Sequence, residues 1–121
     1  MRIYDSVEQT KRLFVPVREN HVSMYVCGMT VYDHCHIGHA RGFIVFDVIK
    51  RYLQQLGYTV TLVRNITDID DKIINRANEH GQTYSDWANR FIKSTQEDVS
   101  ALHILPPDHE PRATDHISDI L

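Results

Sequence analysis

The chain has 121 residues, 42% hydrophobic and 24% charged, with two cysteines and a formal net charge of −3. That length suits one small domain and not two, and the composition is that of an ordinary globular protein rather than a disordered one. The mildly acidic balance argues against a chain that wraps nucleic acid, and no stretch is apolar for long enough to span a bilayer.

The opening, "MRIYDSVEQTKRLF", lacks the apolar core of a signal peptide and points to the cytoplasm. "RIYDS" and "TKRLFVP" read as a β-hairpin, and "HVSMYVCG" as a buried strand ending at Gly28. From Ile37 to Leu56 the period changes. Ile37, Ala40, Ile44, Val48, Tyr52 and Leu56 share one helical face, broadened by Phe43, Phe46, Ile49 and Leu53. Arg41, Asp47, Lys50, Arg51, Gln54 and Gln55 lie largely elsewhere, and Gly57 is the natural stop. "YTVTLVRN" is a second strand, so this span predicts a βαβ unit with parallel strands and a right-handed crossover.

After "NITDIDD" a short helix is expected to run to about Glu79 and stop near Gly81. A longer one opens at Thr83, with Asp86 three residues on as a weak capping box. Its stripe is Tyr84, Trp87, Ala88, Phe91, Ile92, Thr95, Val99 and Leu102. "LPPDHEP" reads as a Pro-rich break and "RATDHISDIL" as the start of another helix. Two parallel strands make little sheet to cover, and Ile120 and Leu121 end the chain without a cap. The expectation is a piece of a larger α/β protein whose sheet continues past Leu121.

Chemistry-bearing residues cluster between the first βαβ strand and its helix. In a reducing compartment Cys27 and Cys35 are less suited to a disulfide than to packing as small hydrophobes or to a metal or catalytic role. His36-Ile37-Gly38-His39 opens the helix at the carboxyl end of a parallel strand, where ligands bind in this architecture. The unpaired first-turn amides and the helix dipole favour an anion there. Gly38 leaves room for a flat ring or ribose, and His36 and His39 can donate ring N–H bonds to phosphate oxygens. The plain alternative is one capping and one surface histidine. Asp68, Asp70 and Asp71 suit either magnesium or, by preference, the capping and charging of the helix that follows.

"HIGH" after a strand resembles the nucleotide-binding motif of class I aminoacyl-tRNA synthetases. "MYVCGMTVYDHCHIGHAR", "VRNITDIDDKII" and "PPDHEPRATDHI" together are similar to the cysteinyl-tRNA synthetase family, over essentially the whole chain. The resemblance implies an α/β fold, the first half of a Rossmann-like parallel-sheet nucleotide-binding domain, incomplete. Residues 1–121 would form the N-terminal part of the catalytic domain, with no tRNA anticodon-binding domain present. It implies activation of cysteine by ATP with Mg2+, then transfer of the cysteinyl group to tRNA(Cys), with the complete protein a monomer. His36, Ile37, Gly38 and His39 would bind ATP, His36 and His39 acting catalytically. Gly28 and Thr67 would meet the cysteine substrate, and Cys27 would be one ligand of Zn2+. Zinc suits the task because it prefers thiolate to hydroxyl, whereas an apolar pocket separates such isosteres poorly.

The resemblance has gaps. Zinc takes four ligands, and the family's other three, a cysteine, a histidine and a glutamate, are not in these 121 residues. An improvised site from Cys27, His34, Cys35 and His36 would take His36 from its phosphate, so the chain alone is not expected to hold zinc stably. The Lys-Met-Ser-Lys-Ser loop is missing, and "IKSTQ" is no substitute because it sits within a helix. The tRNA contacts would lie in missing regions, and the chain by itself is expected not to aminoacylate. Rival readings are a cysteine:glucosaminyl-inositol ligase fragment, a small nucleotidylyltransferase and a non-catalytic nucleotide-binding module.

Overall fold

A computed structural model describes residues 1–121. The chain opens with strands β1 (Arg2–Asp5) and β2 (Thr10–Leu13), paired antiparallel from Arg2 opposite Leu13 to Asp5 opposite Thr10. Asp5 makes the turn, its Oδ1 accepting the amides of Val7 at 2.9 Å and Glu8 at 3.2 Å.

Strand β3 (His21–Val26), helix α1 (Ile37–Gln55) and strand β4 (Thr59–Arg64) form the expected βαβ unit. The strands are parallel neighbours, in register from His21 opposite Thr59 to Val26 opposite Arg64. Gly57, at φ 90°, takes the chain out of α1 in a conformation that favours glycine. Past the strand ends the pairing resumes, with Thr67 N–H donating to Met29 O and Val31 N–H to Thr67 O.

Helices α2 (Asp71–Glu79) and α3 (Tyr84–Ala101) pack on each other. Asp70 caps α2 by accepting the Lys72 amide at 2.9 Å, and Thr83 caps α3 by accepting the Asp86 amide at 3.1 Å. Of the α3 stripe, Trp87, Ala88, Phe91, Ile92 and Val99 are buried, while Tyr84 and Leu102 are half exposed. With Met29, Val31, Phe43, Ile66, Ile73, Ala77 and Ile104 they make the main core. A smaller core of Val22, Leu53 and Val60 joins the far end of α1 to the strands.

Three expectations are corrected. Strand β3 is only half buried, alternating between buried Val22 and Val26 and exposed Ser23 and Tyr25 (64% exposed), because one face of the two-stranded sheet is left uncovered. In α1 the inward residues are Phe43, Lys50 and Leu53, while Ile37, Ile44, Val48, Tyr52 and Leu56 are exposed. The helix is apolar around most of its circumference, so contact with β4, and not periodicity, selects its inner face.

The third correction concerns the Pro-rich segment, which is extended and pairs with the outer edge of β4. His109 bridges Val63 and Arg112 bridges Ile66, both in parallel sense. Arg64 N–H donates to His109 O at 3.0 Å and Ile66 N–H to Pro111 O at 2.8 Å. The expected last helix is a 3-10 turn, Ala113–His116, followed by one turn of helix, α4 (Ile117–Ile120). No helix is long and apolar enough to cross a membrane.

Candidate nucleotide-binding cleft

At the carboxyl end of β3 a cleft of about 340 Å³ lies between the strand and the start of α1. Cys27, Gly28, Gly38 and His39 all line it. His36 does not line it, and its ring stacks on that of His39 with centroids 3.7 Å apart and planes 22° from parallel. Ile37 is 89% exposed and makes no wall of it. Thr67 does not line it either, and Thr30, its bridge partner across the sheet, does.

The histidines build the helix start. His36 is the N-cap, and its Nδ1 accepts the Gly38 amide at 3.1 Å. His39 returns the bond, its Nδ1 accepting the His36 amide at 3.4 Å. Neither ring is a mere surface group, and the Gly38 amide is already engaged by the His36 ring. The His39 and Ala40 amides donate to His36 O. An anion would therefore meet ring N–H groups here, where the sequence alone suggested unpaired first-turn amides. Burial and the adjacent His36 hold the His39 imidazole below its usual range, which favours the neutral ring.

The two glycines have different neighbours. A Cβ on Gly38 would lie 2.8 Å from His36 Cε1, so the space it leaves is filled by its own capping ring. A Cβ on Gly28 would lie 1.6 Å from Asn65 O, so the close approach of the two backbones just past β3 and β4 demands glycine. Asn65 Oδ1 accepts the Gly28 amide at 2.9 Å and fixes that approach.

Cys27 is exposed on the cleft, whereas Cys35 packs against the main core. Burial and Asp98 push the Cys35 thiol up, away from the thiolate a metal needs. His34 points to α3, its ring edge-on to Phe91 and its Nδ1 3.0 Å from Ser94 Oγ. No group of three His, Cys, Asp or Glu side chains converges anywhere. Cys27 offers one of the four donors that zinc requires, so these residues do not by themselves fit the metal.

Of the three aspartates, Asp70 caps α2 and Asp71 sits in its first turn. Asp68 does neither job. It is buried and accepts both the amide and the hydroxyl of Thr114, at 3.0 and 2.6 Å, anchoring the C-terminal segment.

Sequence reasoning missed Thr30, Gly42, Phe43 and Phe46 on the cleft wall. A signal was available, because Gly42 and Phe43 follow Gly38 and His39 by four residues, one helical turn. Phe43 is braced from behind by the Arg64 guanidinium, 4.6 Å from its ring centre. Arg64 in turn donates to Glu110 Oε1 at 2.8 Å.

A parallel strand–helix–strand unit with a cleft at the strand's carboxyl end, where ligands bind in this architecture, is the first half of a Rossmann-like domain. Residues 13–121 match the family described as the tRNA synthetases class I (C) catalytic domain. The chain belongs to that family of class I synthetases.

Curated relatives are cysteine–tRNA ligases. That of Alkalilimnicola ehrlichii is 60% identical over 121 residues, all of this chain and 26% of the relative. Those of Paraburkholderia xenovorans and Pseudomonas putida are 58% and 57% identical, again over 26% of their length. The chain thus spans about a quarter of the relatives it matches. Among solved structures, the agnB2 LeuRS of Agrobacterium radiobacter K84, in a ternary complex with tRNA and LeuAMS, superposes with a TM-score of 0.64 at 23% identity. It covers 73% of this chain and 12% of that one, and supports the fold alone.

Proposed function

We propose that the chain is the nucleotide-binding part of a cysteine–tRNA ligase. In that reaction the cysteine carboxylate attacks the α-phosphorus of ATP, pyrophosphate leaves, and a ribose hydroxyl at the 3′ end of tRNA(Cys) then displaces AMP from the cysteinyl-adenylate. The observation that carries this reading is the shared cleft, which Cys27 and His39 both line, with the His36 ring stacked on His39.

His36 and His39 are the catalytic pair. They donate to phosphate oxygens, and such preplaced donors gain strength as charge builds on the transferring group. Gly38 and Ile37 complete the ATP site, and Mg2+ accompanies the triphosphate. Gly28 and Thr67 face the amino acid, Thr67 through the strand shared with Thr30. Cys27 supplies one zinc donor and the relatives' further length the rest, the metal serving to select thiolate over hydroxyl. The tRNA is held by the same further length. The protein acts in the cytoplasm as a monomer.

Calorimetric titration of the 121-residue chain with ATP tests the site. Weak binding that disappears in His39→Ala is the expected result, and either no binding or binding indifferent to that change overturns it. The chain alone is expected not to charge tRNA. Charging at a rate near that of a complete enzyme would overturn that part.

A further inference from the structure

Each imidazole of the stacked pair has one ring nitrogen turned to the backbone. The Gly38 amide points at His36 Nδ1 and the His36 amide at His39 Nδ1. The hydrogen of a backbone amide is fixed by the peptide plane, so a ring nitrogen facing it must accept. A neutral imidazole carries one proton, which must then sit on Nε2. The rings lie 3.7 Å apart, and burial together with the adjacent His36 disfavours the charged form of His39. Gly38 is part of the arrangement, because any Cβ there would strike the His36 ring.

We infer that the two histidines divide their nitrogens between two jobs: Nδ1 of each holds the start of α1, and Nε2–H of each is the donor offered to the nucleotide. The donor half rests on the nucleotide reading above. The capping half does not. The spacing of the motif then follows from the cap: a histidine at the N-cap, a glycine two residues on to admit its ring, and a histidine at the third position to return the bond.

Three replacements of His39 separate the jobs. Asparagine places its carbonyl oxygen two bonds from Cβ, as Nδ1 is, and keeps the cap without a donor at the Nε2 position. His39→Asn should melt within about 1 °C of the parent, whereas His39→Ala, with the cap lost, should melt about 4 °C lower. His39→Gln carries the side chain that capping boxes use at this third position, so it should also melt close to the parent while keeping a donor near the Nε2 position. ATP affinity should fall at least about tenfold in His39→Asn, as for loss of one hydrogen bond to a charged group, and less in His39→Gln.

The direct reading is by nitrogen NMR of the histidine-labelled chain near pH 7.5, without ATP. Both Nδ1 resonances should be those of an unprotonated ring nitrogen and both Nε2 those of a protonated one. The opposite tautomer on either ring, or a His39→Asn that melts as low as His39→Ala, overturns the capping half. Undiminished ATP affinity in His39→Asn overturns the donor half. A parent chain that binds no ATP overturns the donor half together with the nucleotide reading, while the resonances and melts still decide the cap.

Discussion

Lys50 Nζ lies 2.9 Å from Asp108 Oδ2, across fifty-eight residues of sequence, and the same oxygen accepts the Leu62 amide at 2.7 Å. The lysine side chain is only 6% exposed and the aspartate 43%. The pair ties the middle of α1 to the extended segment that edges β4, and its two members are not equivalent. Asp108→Asn leaves a buried ammonium without its counter-charge and should cost about 2 kcal/mol, less than a fully buried pair because water still reaches the aspartate. Lys50→Met keeps the packing and should cost about 1 kcal/mol or less. Urea midpoints of the two variants check the order, and equal costs would show that the burial of Lys50 is immaterial.

The same carboxylate sets an acid limb of stability. The Leu62 amide, then Lys50, hold the Asp108 carboxyl below its ordinary value of 3.8. A depressed carboxyl contributes stability that is fully present above the unfolded value and is lost as pH falls through the folded one. Asp5, lowered by the Glu8 and Val7 amides, acts in the same direction. His39 behaves alike around a higher value, since burial and then His36 hold it below 6.5. The expected melting curve is flat from pH 7 to about pH 8.5, falls above about pH 9 as Cys35 resists ionising, declines gently as pH falls below about 6.5, and drops steeply below about pH 4. His39→Asn should remove the gentle decline, and Asp108→Asn should soften the steep one. A melting temperature that rises between pH 7 and 5 would contradict the neutral His39 ring.

Glycines at the cleft should respond in opposite ways to alanine. Gly28→Ala drives a Cβ to 1.6 Å from Asn65 O, so β3 and β4 must part, at a cost of at least about 3 kcal/mol. Gly42 sits inside α1 with nothing within 4 Å of its Cβ direction, so Gly42→Ala should raise stability by about 1 kcal/mol. Gly42 also lines the cleft, so the stabilised variant should bind ATP less well. Thermal melts and the ATP titration together read both effects.

The two thiols should differ towards an alkylating reagent. Cys27 is exposed, whereas Cys35 packs against the main core with its thiol pushed up by burial and by Asp98. At pH 8 iodoacetamide should modify Cys27 first, as mass spectrometry of timed digests would reveal. Equal rates would mean that Cys35 is not held in the core.

Tight packing under the connection between β3 and α1 gives the last prediction. Trp87 Nε1 donates to Tyr32 O at 2.8 Å and its ring adjoins Phe91. Trp87→Phe keeps an aromatic body but strands that carbonyl, and should cost about 2 kcal/mol. Ile73, fully buried, should cost about 3 kcal/mol as Ile73→Ala. Chemical denaturation of both variants provides the measurement.

Local chemistry was readable from the residues in order. The stops at Gly57 and Gly81, the caps at Asp70 and Thr83 and the parallel strand–helix–strand unit all rest on interactions within a few residues or on period, and all stand in the structure. The extended segment 109–112 is hidden in the sequence because prolines in and before it locally signal a break. The charged residues Asp108, Glu110 and Arg112 alternate there as in a strand, a signal that the prolines outweigh.

For the cleft, the sequence by itself determined which groups were on offer: a thiol, two imidazoles and a glycine between a strand and a helix, in a spacing that marks the family. Only the tertiary structure decided how they are used. It turned Nδ1 of each histidine inward, filled the space at Gly38 with the His36 ring, and brought Cys27 and His39 to one cleft. It also buried Lys50 and left Ile44 and Val48 in solvent. The physical reason is that a helix apolar on most sides has no inner face until a sheet is laid against it, and β4, with residues 109–112 paired along its edge, is that sheet.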